Sequence, residues 1–532
     1  MEQWNNAVRP LSKSLLNPGG SSNQAKVTIA VLCLLFLSST AFSFQPDANS
    51  HHRIDPLDRK TLAFYYSTIP SFHHSTIPLL HHSAILPPCG IPHTTYTIMG
   101  GTLFPSFLDS LEHRTFEFFW QTTNPENGLT PDRFPTKTFS SIAAVGFALT
   151  AYPIGVERGY ITRDQAIRRV LTTLRFFYHA KMGPETTSVT GYKGFYYHFL
   201  NIDNGTRFDR IELSSIDSAI LMYGILFCQS YFDRQTSEEK EIRRLADSLY
   251  RRMDWYFMQR DKPLVNMGWT PEDGFAPLNW TGMNEGMLLY VLALGSPTYP
   301  IDSTAWKDWT KTYVWAKYYG MDFISFGPLF GHQYSQCWID FRGIKDAYMR
   351  KKGIDYFENS RRATISQRDY AIQNPLHYND YSDSIWGFTA SDGPGDTTIV
   401  VDGVKRRFEG YTAHGVSFDW VNNDGTITPA AAGGSIPFAP RICLQALMAM
   451  KEKYGQRVWR KYGFIDAFNP TYPTKDGKGW FDKDYLGIDQ GPILIMLENY
   501  RTGFVWKIMR KNKYIVEGLR RAGFTGGWLE AK

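Results

Sequence analysis

Two kinds of helical segment alternate along this chain, and the alternation limits how it can close. Leu213–Phe232 and Gly286–Gly295 are apolar nearly all round, so each demands burial on every side. Residues 237–259 carry charge on one face and apolar side chains on the other, the pattern of a helix with one side in water. Together these predict an all-α double ring, six inner helices wrapped by six outer ones. No strand–helix–strand alternation is present, which argues against a parallel sheet.

Apolar periodicity predicts helices over 105–121, 140–158, 163–181, 212–232, 237–259, 283–295, 302–319, 355–373, 438–454 and 488–502. Shorter pieces fall near 336–348 and 504–522. Thr162 with Gln165 forms a capping-box pattern, and Ser237 opens a Glu-Glu-Lys-Glu run that suits the helix dipole. Short β-hairpins are expected across Asp203-Asn-Gly205, joining Tyr192–Phe199 to Arg207–Glu212, and within Thr397–Arg407 at Asp402-Gly403.

The first hundred residues read differently. Val27–Phe44 is an apolar run behind Arg9, Lys13 and Lys26, the layout of a signal peptide, with an uncleaved anchor as the rival. Residues 1–44 are assigned to it, and a periplasmic or secreted address follows. Residues 45–102 hold a Ser-Thr-Ile-Pro near-repeat with paired histidines. No acidic or cysteine partner lies nearby, so a disordered low-complexity leader is expected rather than a metal site. The folded domain is placed at 103–532.

Several functions are excluded by what is missing. Net charge is +6 with no Lys/Arg block, so no nucleic-acid partner is expected. The five cysteines include no metal-ligand spacing, and free buried thiols are expected rather than disulfides. HExxH, Walker and EF-hand motifs are absent, and Gly415-Val-Ser-Phe418 is not a nucleophile elbow.

Three segments share a layout that carries chemistry: a polar loop rich in Gly, Asp and aromatics running into an apolar helix. They are Gly268–Glu285, Trp386–Pro437 and Gly479–Pro492. Carboxylates beside flat aromatic faces are what glycosidic-bond chemistry uses. In a double ring such loops meet around one central cavity. Asp209 and Glu212 sit where an extended segment enters an apolar helix, with Asp217 just inside it as a positioning or structural acid. Glu285 opens another apolar helix near Trp269 and Trp280, where apolar surroundings would raise its pKa. Asp383 and Asp392 lie near Trp386, with Asp392 in an apparent turn. Asp489 follows Trp480 and Asp484, and is placed to cap the next helix.

Four long runs resemble the bacterial glucoamylase-like family that contains endo-β-1,2-glucanases. They are Trp386-Gly-Phe-Thr-Ala-Ser-Asp-Gly-Pro394, Asp424–Pro440, Trp459-Arg-Lys-Tyr-Gly-Phe-Ile-Asp-Ala-Phe-Asn469 and Leu486–Gly503. The likeness covers roughly residues 105–525. Arg441 departs from it, standing where an acidic residue is expected. The resemblance implies an (α/α)6 toroid with long aromatic-rich loops and inverting hydrolysis of β-1,2-glucan without metal or other cofactor. It also implies site acids at Asp209, Glu212 and Glu285.

The expectation is therefore a monomeric glycoside hydrolase acting on a β-glucan. Glu285 would protonate the glycosidic oxygen, and Glu212 or Asp209 would activate water. Trp269, Trp280, Trp386 and Trp480 are sugar-platform candidates, and Asp217, Asp383 and Asp489 are further substrate-contact candidates. The competing readings are a hydrolase of another glucan, a polysaccharide lyase using Tyr with His198, His377 or His414, and a glycan-binding protein without catalysis.

Overall fold

Six inner helices close a ring in chain order: Ile142–Glu157, Ser215–Tyr231, Met287–Gly295, Phe330–Trp338, Pro429–Gly433 and Gly487–Thr502. The computed structural model describes residues 103–260 and 263–530. The last inner helix packs on the first, which closes the circle. Five outer helices lie against successive inner ones: Arg163–His179, Ser237–Arg251, Lys513–Arg521, Tyr356–Gln373 and Pro440–Tyr454. The sixth, Leu103–Thr122, is tied to the last inner helix by ions: Arg501 reaches Glu112 at 2.5 Å, and Arg158 bridges Glu112 at 3.2 Å and Glu498 at 2.5 Å. The fold is an (α/α)6 toroid.

Glycine sets the closest approach in the inner ring. A Cβ on Gly224 would lie 2.1 Å from the carbonyl oxygen of Gly146, and one on Gly146 would lie 2.4 Å from that of Ile220. Only residues without a side chain fit there, so the first two inner helices touch backbone to backbone. Proline interrupts two inner helices without breaking them. Pro153 cannot donate to Leu149, and the Cys228 thiol of the next inner helix takes that carbonyl at 3.2 Å. Pro492 likewise frees Ile488, whose carbonyl accepts the Tyr334 hydroxyl at 3.3 Å. Each lost helical bond is replaced by a partner from across the ring.

The capping box at Thr162 and Gln165 is present. The next outer helix is capped by Thr236 rather than Ser237, which is its first helical residue. The predicted 302–319 helix is shorter than expected. Thr304–Thr310 is helical, and Trp315–Tyr318 then pairs with Met321–Ile324 as a hairpin. Residues 504–522 form two helices, Phe504–Met509 and Lys513–Arg521.

Two inner helices are absent from the sequence prediction. Phe330–Trp338 was expected near 336–348, but it carries buried His332, Gln333, Ser335 and Gln336 and so shows no apolar stripe. Neighbouring elements receive its glutamine amides: Gln333 donates to Ala431 and Ser435, and Gln336 to Tyr356 and Ser360. Pro429–Gly433 lies within what read as one long loop.

The Asp402-Gly403 hairpin forms as expected, with Asp402 and Gly403 both left-handed at φ of 50° and 77°. The Asn-Gly turn does not close a regular hairpin, since a single bridge joins Leu200 to Arg207. Its flanks belong to a larger antiparallel sheet of Gly191–Tyr192, Phe195–Tyr197, Leu213–Ser214, Gly268–Thr270 and Gly274–Phe275. Cys228, Cys337 and Cys443 are buried free thiols. No described helix is long and apolar enough to cross a membrane. The apolar run and the leader, residues 1–102, lie outside the described residues, as do Cys33 and Cys89.

Candidate active site

The five-stranded sheet feeds directly into the second inner helix, and the first acids stand at that junction. His198 follows the Phe195–Tyr197 strand, and its N–H donates to the Glu212 carbonyl at 3.0 Å. Glu212 precedes the Leu213–Ser214 strand, and Ser214 caps the helix that contains Asp217. This register brings three side chains together. His198 Nδ1 lies 2.9 Å from Glu212 Oε1, and its Nε2 lies 3.5 Å from Asp217 Oδ1. Ser214 Oγ donates to Asp217 Oδ2 at 2.5 Å. Asp217 is therefore buried and partnered, and burial pushes its carboxyl upward against the lowering effect of His198.

A cavity of about 290 Å³ opens beside this group, walled by Glu212, His198, Asp217, Trp269, Phe275 and Trp280. Trp280 is buried, with Nε1 donating to Ser215 Oγ at 2.9 Å. Trp269 is half-buried and leans on Tyr192, with ring centroids 5.3 Å apart. Two of the four tryptophans named from the sequence thus line one cavity with Glu212.

Glu285 lies at the end of the loop that follows the Gly274–Phe275 strand, just before the Met287–Gly295 helix, and is 4 % exposed. It is not the capping group: Gly286 is the N-cap and no side chain caps the helix, while the Gly286 N–H donates to Asn284 Oδ1 at 3.0 Å. Glu285 Oε2 is buried without a hydrogen-bond partner. Burial pushes the carboxyl up to about 8, opposed by a backbone hydrogen bond and reinforced by the charge of Asp217.

A second acidic group gathers around Arg133. Its Nη1 meets Asp392 Oδ2 at 2.5 Å and its Nε meets Asp132 Oδ2 at 3.1 Å. Asp466 accepts the backbone N–H of Asp392 at 2.8 Å and shares a carboxyl–carboxylate hydrogen bond with Asp489. Burial drives Asp466 well upward, Asp482 to about 8 and Asp489 to about 7, with neighbouring acids adding to the rise. Oδ1 of Asp466 and Oδ2 of Asp482 and Asp489 are buried without partners. Burial pushes the Tyr334 hydroxyl well upward, and the charges of Asp489 and Glu285 add to that push.

The remaining sequence candidates fall elsewhere. Asp209 is exposed in a left-handed turn, φ 50°, and does not line the cavity. Asp383 is exposed on its loop. Trp386 is fully buried, so its faces are not open to a ligand. Trp480 is half-buried in a two-residue strand paired with Phe468–Asn469. Asp489 does not cap its helix. That helix begins at Gly487, and the Asp489 carboxyl turns toward Asp466. Asp392 is more than a turn residue, since it binds Arg133. Asp484 holds Thr136 by two hydrogen bonds, and Arg441 is exposed on an outer helix.

Asp132, Arg133, Asp466, Asp482 and Tyr334 complete the site and were not singled out from the sequence, whereas His198 was named there only under the lyase reading. Asp466 did sit in one of the runs that carry the family likeness, while Arg133 and Asp132 lie in a short loop with no pattern around them. Of the other loop histidines, His414 is buried between Ser391 Oγ at 3.2 Å and Asp424 Oδ1 at 3.2 Å. Among the described residues, two groups come close enough to surround a cation: His198 with Glu212 and Asp217, and Asp392 with Asp466 and Asp482. In the first, the imidazole ring itself fills the space between the acids, which approach its opposite nitrogens. In the second, Arg133 already supplies a positive charge.

A helical toroid whose mouth gathers buried carboxyls and tryptophan faces defines the class of toroidal glycoside hydrolases. Residues 277–513 match the Glycoamylase family model, a glucoamylase description. A glucoamylase-type crystal structure from Bacteroides uniformis ATCC 8492 is 33% identical. It superposes with a TM-score of 0.70 over 80% of this chain and 98% of that one. The endo-β-1,2-glucanase of Chitinophaga pinensis, solved with sophorotriose and glucose, is 28% identical. Its TM-score is 0.69 over 80% of this chain and 99% of that one. The exo-β-1,2-glucooligosaccharide sophorohydrolase (non-reducing end) of Parabacteroides distasonis is 28% identical over 462 residues, or 80% of this chain. The chain spans 58% of the length of that curated relative. The chain belongs to this bacterial glucoamylase-like family.

Proposed function

We propose that this protein hydrolyses β-1,2-glucan or its oligosaccharides by a two-carboxylate mechanism with inversion. The observation that carries the reading is Glu285, a buried carboxyl raised to about 8 with one oxygen lacking a partner, and acted on by the charge of Asp217, which lines the tryptophan-walled cavity. A general acid must hold its proton at neutral pH and be free to give it, and Glu285 meets both conditions. Glu212 is the first choice for the group that activates water. One of its oxygens is anchored by His198 and the other has no partner. Inversion requires the acid and base carboxyls to stand about 6.5–9.5 Å apart.

A second choice of base rests on a separate observation. Asp466 and Asp489 share one hydrogen bond, and Asp489 acts on the same tyrosine, Tyr334, as Glu285 does. Asp209, exposed and outside the cavity, is no longer a first choice. Substrate class is drawn from the names of the Chitinophaga and Parabacteroides relatives. The apolar Val27–Phe44 run supports a periplasmic or secreted address.

The test is incubation with β-1,2-glucan and, in parallel, β-1,3- and β-1,4-glucans, with sizing and anomer analysis of the products. Saturated α-anomeric products from β-1,2-glucan alone support the reading. Unsaturated ends identify a lyase, and unchanged glucan with retained binding identifies a lectin-like protein. E212Q and D466N then separate the two bases, since only the true base leaves no turnover when amidated.

A further inference from the structure

His198 touches two acids at once, and a neutral ring cannot satisfy both. Its Nδ1 lies 2.9 Å from Glu212 and its Nε2 lies 3.5 Å from Asp217. Neutral imidazole carries one N–H, so one of the two carboxylates would face a lone pair. Only the doubly protonated ring presents hydrogen to both. A third carboxylate, Asp132, also acts on the ring. The ring is 3 % exposed and stacks on Phe199 with centroids 3.9 Å apart, so water replaces none of these contacts. Burial by itself would lower its pKa, yet Asp217, Glu212 and Asp132 together outweigh burial and lift it to about 9.

We propose that His198 is a positioning residue: as an imidazolium it bridges Glu212 and Asp217 on its two edges, fixing the water-activating carboxylate and the Asp217 carboxylate that acts on Glu285. The inference rests on the Glu285 and Glu212 reading above. The coupling is electrostatic: the cation favours the ionised form of Asp217, and the charge of Asp217 raises Glu285. Without the cation, Asp217 takes up a proton more readily and no longer supports Glu285, which gives up its proton at lower pH. The alkaline limb of the rate profile moves inward.

The experiment has two arms. In the first, kcat/KM on β-1,2-glucan is followed against pH for wild type, H198N and H198Q, each checked for native melting. The bell is expected to narrow, its alkaline limb moving down by about one pH unit or more. A bell of unchanged shape and reduced height would mean a purely structural role and would overturn the proposal. In the second arm, nitrogen-15 NMR of the histidine side chains in wild type and E212Q reads the ring without any substrate. The His198 ring is expected to stay doubly protonated at pH 7.5 in wild type and to lose that proton at lower pH in E212Q. A neutral ring at pH 7 in wild type overturns the proposal even where a variant fails to fold. Wild type inert on β-1,2-glucan would instead count against the functional reading, and the NMR result would still decide the state of His198.

Discussion

The hydroxyl of Tyr334 donates to the carbonyl of Ile488 at 3.3 Å, filling the bond that Pro492 cannot make. The same tyrosine lies within the fields of Glu285 and Asp489. One side chain thus repairs an inner helix within reach of the charges of both acidic groups. Tyr334→Phe keeps the ring and removes the donor, leaving the Ile488 carbonyl unpaired in the interior. Stability should fall by about 1–3 kcal/mol, read as a lower denaturant midpoint with unchanged slope. An unchanged midpoint would mean that water takes the carbonyl instead.

Glu285→Gln should abolish turnover and at the same time stabilise the protein at alkaline pH. The folded-state pKa is raised to about 8, above the roughly 4.3 of an unfolded chain. The contribution of such a group to stability is full below about pH 4 and is lost as pH rises through the folded value. Glutamine never ionises. The variant should therefore melt above wild type at pH 8, with the gap closing toward pH 5. Thermal melts across that range check the sign, and kcat should drop at least about 100-fold.

Trp269 and Trp386 should fail in different ways. Trp269→Ala removes a half-buried wall of the cavity and should raise KM about tenfold with kcat little changed. Trp386→Ala empties a fully buried site and should cost about 3–5 kcal/mol of stability. Steady-state kinetics and denaturation on both variants separate ligand contact from core packing.

Arg133 is the cation paired with Asp132 and Asp392, beside Asp466, Asp482 and Asp489. Arg133→Met should destabilise the protein more at pH 8 than at pH 5. The acids already titrate high, Asp489 at about 7 and Asp482 at about 8, so below those values protons stand in for the lost charge. Melting temperatures of variant and wild type across this range should diverge as pH rises. Parallel curves would show that Arg133 does not compensate the cluster.

Much of the ring was legible where one helix states its own environment. Ser215–Tyr231 and Met287–Gly295 are apolar on every face, and that alone requires a position inside. Phe330–Trp338 was not legible, because its buried glutamines become acceptable only once Ala431, Ser435, Tyr356 and Ser360 arrive to receive them. Glu285 was visible as an acid entering an apolar helix. Asp132, Arg133 and Asp482 gave no local sign, since each looks like an ordinary charged loop residue until the others surround it.

The sequence by itself determined the double ring, the cap at Thr162, the hairpin turn at Asp402-Gly403, and the loops that would carry acids and tryptophans. These are local properties, set by periodicity and turn chemistry within a few residues. Only the tertiary structure decided which acids meet. It left Asp209 in water, buried Trp386, set His198 between Glu212 and Asp217, and gathered five aspartates around Arg133. Burial and charge–charge energy depend on distances between segments far apart in the chain, and no local pattern encodes those distances.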